Sequence, residues 1–305
     1  MWLPCRPGAA RKYPLFSRLA VLFKETPWGG ISYLFLAISI LSGVVVALQY
    51  QASEPFFSVV SMDLLVPYGR FFRSLHFYSS QFFFLAMVFH LSVVVGNSDQ
   101  HVSLVEWTRL VSLLPLALVL LFTGYVLRAD GTGSAAGAIA ENISRSVPLA
   151  GNLLNTFLFD VSGSGLKRVY AQHVIGLVLL FGWAGWNHLR RYPIQWQRWG
   201  WFVCATPVWS FFVAAPLEQA RLGQPHMNGP WFFIGLQELL RFSPVLFAGV
   251  FFPFLGILPF LFMAPAGRDE EKNSRWIFSA WLWTWLGLYF FLSVFGYLRE
   301  ALPGR

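Results

Sequence analysis

Four of the six histidines in this chain lie inside long apolar stretches, as two pairs: His76 with His90, and His173 with His188. The spacings are 14 and 15 residues. At about 100° per helical residue, the first ends roughly 40° short of a whole number of turns and the second roughly 60° past one. Each pair therefore faces one side of its helix, its members about 21–23 Å apart along the axis. A single apolar stretch separates the two helices, so they run in the same direction, and His76 falls level with His173 and His90 with His188. Imidazole suits iron, and two imidazoles on one iron leave no open position, which favours electron transfer over ligand chemistry. The arrangement implies two six-coordinate haem b sites, one near each membrane face. A lone histidine in an apolar helix often does no more than bond a neighbouring hydroxyl or carbonyl. Polar residues there are costly, however, and four in two matched pairs are hard to reach by accident.

The elements that must position them are membrane spans. Of 305 residues, 56% are hydrophobic and only 12% charged, against about 25% in soluble proteins. Aromatics reach 18%, which suits lipid-facing surfaces and walls around a flat cofactor. Seven segments are long and apolar enough to cross the bilayer, near 30–50, 72–96, 104–128, 167–190, 199–216, 231–264 and 276–298. The fifth is short and carries Pro207; the sixth carries Pro244, Pro253 and Pro259, which predict kinks. In the Gly- and Ser-rich loop 129–166, residues 134–146 and 149–160 have the spacing of two helices lying on the membrane surface. The fold class is thus an all-α polytopic membrane bundle. Its parts are a cytoplasmic segment 1–27, a four-helix di-haem domain 28–192 and a three-helix domain 193–305.

The net charge of +8 comes from Lys and Arg in short loops beside apolar runs, which reads as topology signal and lipid contact, not as a nucleic-acid surface. Counting those residues, with a basic cluster before the first span, gives a cytoplasmic N-terminus and suits a bacterial inner membrane. The only cysteines are Cys5 and Cys204, and no CxxCH occurs, so the chain offers no disulfide framework, iron–sulfur motif or covalent c-type haem.

From about Pro27 to Tyr192 the sequence resembles cytochrome b of respiratory bc complexes, and more closely the cytochrome b subunit of photosynthetic bf complexes. The resemblance rests on the paired histidines, with the 15-residue spacing of the bf form, and on Arg73-Ser74-Leu75-His76 and Thr123-Gly124-Tyr125. Val147-Pro148 with Gly151, and Arg168 with Tyr170 before His173, add to it. Residues 199–300 resemble the three-span small subunit of bf complexes through Trp231-Phe232-Phe233 and Leu239-Leu240-Arg241, so the chain reads as both parts fused. The resemblance implies that Arg73 pairs a propionate of the outer haem. It also implies that Gly29, Gly43 and Gly124 stand where haem approaches the backbone, by lacking a Cβ. Plain helix packing and an interface arginine are the simpler alternatives for these residues.

The departures matter as much. The first glycine of the family's third span is Leu110 here, and the arginine expected three residues after His90 is Val93, leaving Arg190 or Arg191 for that propionate. The bf cysteine that anchors an extra haem aligns near Pro27, so no third haem is expected. The family's Pro-Glu-Trp-Tyr motif, whose carboxylate takes a quinol proton, reads Gly229-Pro230-Trp231-Phe232, and the Pro-Trp after the Gly-Tyr of the third span is replaced by Arg128-Ala129-Asp130. Glu238 is the candidate replacement acid, with pairing to Arg241 as its structural alternative. Asp130 and His226 are weaker candidates, and His101, Asp99 and Glu106 mark the inner end.

What these implications add up to is a membrane subunit of a bc-like quinol oxidoreductase. It would carry electrons between a quinone (a menaquinone or related) and partners: an iron–sulfur protein and a c-type cytochrome, single-haem or multihaem, with a homodimer expected from the family. An electron-conducting anchor without its own quinone site is the second reading, and a transporter whose histidines bind no haem is the third.

Overall fold

The computed structural model describes residues 21–96, 103–191, 196–218, 229–263 and 269–301. These residues form helices and no strands: α1 (Trp28–Gln49), α2 (Pro55–Leu64), α3 (Gly69–Gly96), α4 (Leu104–Leu127), α5 (Gly131–Arg145) and α6 (Gly151–Leu154), which a π-helical turn over Asn155–Phe159 extends. There follow α7 (Gly165–Leu189), α8 (Trp196–Phe212), α9 (Ile234–Leu239), α10 (Phe247–Phe262) and α11 (Asp269–Ala301). The expected all-α bundle is what forms.

Local chemistry starts and stops these helices. The Ser103 side chain accepts the Glu106 N–H at 3.3 Å and begins α4, with the Glu106 carboxylate in its first turn. Asp130 does the same for α5, accepting the Gly133 N–H at 2.8 Å. Five of the helices (α1, α3, α4, α7 and α11) are long and apolar enough to span a membrane by themselves. α8 and α10 are shorter apolar helices, and the expected sixth span is divided, because Pro244 has no N–H to continue α9. α5 and α6 fall on the two expected surface helices. The helix α2 was not expected; it begins at Pro55, buries Val59 and Met62, and fills what the sequence suggested was only a connection.

In packing, α1 lies along α3 and α4 along α7, while α8 leans on α3, and α9 and α10 pack on α11. Phe83, Phe84, Leu121, Phe122, Tyr125, Phe181, Phe232 and Phe233 form one continuous core among these helices. Two indole N–H groups pin α10: Trp107 Nε1 donates to the Phe260 carbonyl at 2.7 Å and Trp285 Nε1 to that of Phe252 at 2.9 Å. The outward faces are apolar, with Trp276, Trp283, Phe290 and Phe291 exposed on α11, as a helix solvated by lipid requires. After α8 the chain crosses the mouth of the bundle as a strap. Ser74 Oγ accepts the Ala215 N–H at 2.9 Å, Tyr78 donates to the Ala214 carbonyl at 3.1 Å, and Gly131 N donates to the Glu218 carbonyl at 3.0 Å.

Candidate functional site

The paired histidines meet at two levels. His76 on α3 and His173 on α7 have ring centroids 6.3 Å apart, their planes 87° to one another. His90 and His188, on the same two helices, have centroids 5.9 Å apart. A metal–imidazole bond of about 2.0 Å on each side, plus the half-width of each ring, puts centroids roughly 6 Å apart when two imidazoles share one iron. All four rings are half-buried.

At the first level the tautomers are set. His76 Nδ1 lies 2.9 Å from the Ser39 carbonyl, which can only accept, so Nδ1 carries the proton and Nε2 keeps its lone pair. His173 Nδ1 lies 2.9 Å from Thr123 Oγ1, whose own hydroxyl donates to the Val119 carbonyl at 2.8 Å; Thr123 therefore accepts from Nδ1–H. Such bonds fix the direction of a metal-ligating imidazole and raise its basicity. Neither Ser39 nor Thr123 carried a role in the sequence. The available signal was position: Ser39 precedes Gly43 by one helical turn and Thr123 adjoins Gly124.

The three glycines face the rings. A Cβ on Gly43 would fall 2.8 Å from His76 Cε1, one on Gly29 3.0 Å from the His90 ring, and one on Gly124 3.2 Å from His173 Cε1. A fourth equivalent, beside His188, is where Leu110 stands, and there a cavity of about 190 Å³ is lined by Leu110, Glu106, Arg109, Asn187 and His188.

The unequal spacings are reconciled in the backbone. α7 carries a π-helical turn over Gln172–Gly176, holding His173 itself. A π turn absorbs one extra residue, so 15 residues on α7 span the register that 14 span on α3.

Other expected residues have specific partners. Arg73 is buried, with Nε and Nη2 on the Asp63 carboxylate at 2.6 and 2.5 Å and Nη2 also on the Ala215 carbonyl at 2.8 Å. Asp63, on α2, was not foreseen. Glu238 is 3% exposed and its Oε2 meets Arg299 at 2.6 Å and Arg241 at 3.4 Å, joining α9 to α11. Two guanidinium groups on one carboxylate favour the structural alternative, an ion pair, over a proton acceptor. Arg191 is 2.8 Å from Glu106 at the His90/His188 end, and Arg190 is exposed. Asp99, His101 and His226 lie outside the described residues.

The stretch standing for the acidic motif packs over the end of α4. Phe232 lies against Tyr125 with centroids 5.7 Å apart, Phe233 against Phe122 at 5.2 Å, and Trp231 Nε1 donates to Gln81 Oε1 at 2.8 Å. Below the bundle mouth Tyr50 stacks on Tyr170 and donates to the Leu127 carbonyl at 2.9 Å; burial raises its phenol well above the usual range, so it stays a neutral donor.

Residues 17–189 match the family model described as Cytochrome b/b6/petB. The cytochrome b proteins of Dictyostelium discoideum and Dictyostelium citrinum are each 22% identical to this chain, over 97% of its length and 85% and 86% of theirs. A solved structure described as Hyperthermophilic respiratory Complex III superposes with a TM-score of 0.61 at 16% identity, covering 90% of this chain and 92% of that one, a likeness of fold.

Proposed function

The chain belongs to the cytochrome b/b6 family and is a haem-binding membrane electron-transfer subunit, and from that premise we propose that it is the di-haem, quinone-reactive subunit of a bc-like complex. The observation that carries this is the pair of imidazole levels, 6.3 and 5.9 Å between centroids, on one pair of helices. His76 and His173 would hold one haem b and His90 and His188 the other. When bound, the two supply one-electron carriers in line across the low-dielectric bundle.

The chain's own part is to fix the ligands and exclude water. Ser39 and Thr123 hold the first-level rings with Nε2 turned inward. Gly29, Gly43 and Gly124 keep space beside three of the four rings. Arg73, tied to Asp63, is a positive charge one turn from His76 that a propionate would share with that carboxylate. At the other level, Arg191 is the cation beside His188, already paired with Glu106. We assign residues 28–192 to the di-haem part and 193–305 to a part resembling the small bf subunit. The N-terminus is then cytoplasmic, and an iron–sulfur protein and a c-type cytochrome accept or supply electrons at the His76 end.

The test is anaerobic mixing of the purified protein with a short-chain naphthoquinol, followed at the b-haem band with dithionite as full-reduction reference. Quinol reduction in the wild type, with a halved haem content and part of the signal lost in His188→Leu, is the expected result. A protein with no haem band contradicts the proposal. A second reading, a conduit whose quinone chemistry lies with a partner, is favoured by Glu238 being held between Arg299 and Arg241; reduction by dithionite alone would select it.

A further inference from the structure

Arg128 closes α4, where the resemblance expects a proline. Its side chain is only 10% exposed. Nε donates to Asp130 Oδ2 at 3.1 Å, Nη2 donates to the same oxygen, and the guanidinium lies over the Tyr125 ring, 4.8 Å from its centroid. Nη1 is buried and has no acceptor. Asp130 cannot turn to serve it, because Oδ1 holds the Gly133 N–H at 2.8 Å and Oδ2 also takes the Glu218 N–H at 3.0 Å. An arginine donor buried without a partner is rare enough to require explanation.

Its surroundings identify what is missing. Tyr125, beneath the guanidinium, touches Phe77, the neighbour of His76, and Phe232 from the stretch that lacks the family's acid. Tyr125 also follows Gly124, whose missing Cβ faces His173. The donor therefore sits beside the first histidine level. Among the described residues, the charges next to it are one guanidinium and the carboxylates of Asp130 and Glu218, the latter bonded by Thr132 Oγ1. Two described carboxylates beside one guanidinium disfavour a further anion and favour a neutral oxygen with a lone pair.

We infer that Arg128 Nη1 donates a hydrogen bond to a carbonyl or hydroxyl oxygen of a quinone headgroup bound beside the His76/His173 level, with Asp130 as the positioning residue that holds the guanidinium. This rests on the proposed quinone reactivity. It gives this chain a quinone-binding side chain on α4.

The test compares wild type, Arg128→Lys and the double variant Arg128→Met/Asp130→Asn under anaerobic naphthoquinol titration. The double variant removes the guanidinium together with the carboxylate it is bonded to, leaving Glu218 with its Thr132 bond; lysine keeps the charge for Asp130 but loses the fork. Both variants should keep the dithionite-reducible haem content. Both should raise the quinol concentration for half-maximal haem reduction, on the order of ten- to a hundredfold for a lost charge-assisted bond, with the limiting rate at excess quinol little changed. Unchanged half-saturation in variants that retain both haems overturns the inference, as does a shifted midpoint of the first-level haem at unchanged half-saturation, which would assign the donor to a haem carboxylate. If the double variant loses its haem, Arg128→Lys decides by the same readings. A wild type that quinol cannot reduce overturns the proposed function and this inference with it.

Discussion

Gly43→Ala should weaken haem binding at the first level while making helix α1 more stable. The added Cβ would fall 2.8 Å from His76 Cε1 and 2.9 Å from Nδ1, where ordinary contact begins at 3.4 Å. The ring must move by about 0.6 Å, because a close-packed interior has no slack to absorb the methyl group. That stretches the 2.9 Å bond from Nδ1 to the Ser39 carbonyl past useful length. The lost bond is worth about 0.5–1.5 kcal/mol, and loss of such a tether typically lowers metal affinity about 10–100-fold. Against this, alanine is favoured over glycine inside a helix by about 0.8–1.0 kcal/mol. The two effects have opposite signs and separate readouts: haem per protein and redox midpoints for the site, thermal melting of the apoprotein for the helix. Gly30→Ala is the control, since a Cβ there meets nothing within 4 Å; it should gain helix stability and keep both haems. Gly124→Ala, at 3.2 Å, should be milder than Gly43→Ala. A Gly43→Ala protein with both haems bound at wild-type affinity and midpoint would refute the reasoning.

Thr123→Val removes the acceptor for His173 Nδ1–H. The imidazole becomes a weaker donor, the oxidised state loses more than the reduced, and the first-level midpoint should rise in a redox titration while the second holds. Glu238→Gln should lower thermal stability by about 1–3 kcal/mol, less than for a fully buried pair because Arg299 can turn to the surface, and should leave the rate of quinol-driven haem reduction unchanged; a collapse of that rate would restore Glu238 as the proton acceptor. Asp160, in the loop before α7, has its carboxyl held below the ordinary 3.8, chiefly by the Ser162 hydroxyl, with the Ser162 N–H and Arg168 adding to it against the opposing effect of burial. A depressed folded-state value stabilises above the unfolded value and is lost as pH falls through the folded one, so Asp160→Asn should melt below wild type at neutral pH, with the gap closing below about pH 4.

The sequence alone located five of the long apolar helices and the histidines that share a level, because apolar length and helical period are local properties written along the chain. It also marked the three glycines and the two helices of the loop after α4. What a side chain meets across the bundle was decided only by tertiary structure. The 14- and 15-residue spacings look mismatched by one residue until a π-helical turn at His173 takes up the difference. The sequence offered Glu238 either as an acid or as a partner of Arg241; the second arginine on its carboxylate, Arg299, lies 61 residues away and only the packing of α9 on α11 supplies it. Nothing along the chain announced that Asp63, on a helix hidden in a connection, would turn back onto Arg73 and share it with the implied propionate. Arg128 and Asp130 were legible as a departure, but not as a buried fork with one donor left over. Helix period fixes the face a residue occupies; crossing angle and axial offset, set by packing of the whole bundle, fix the partner that face meets.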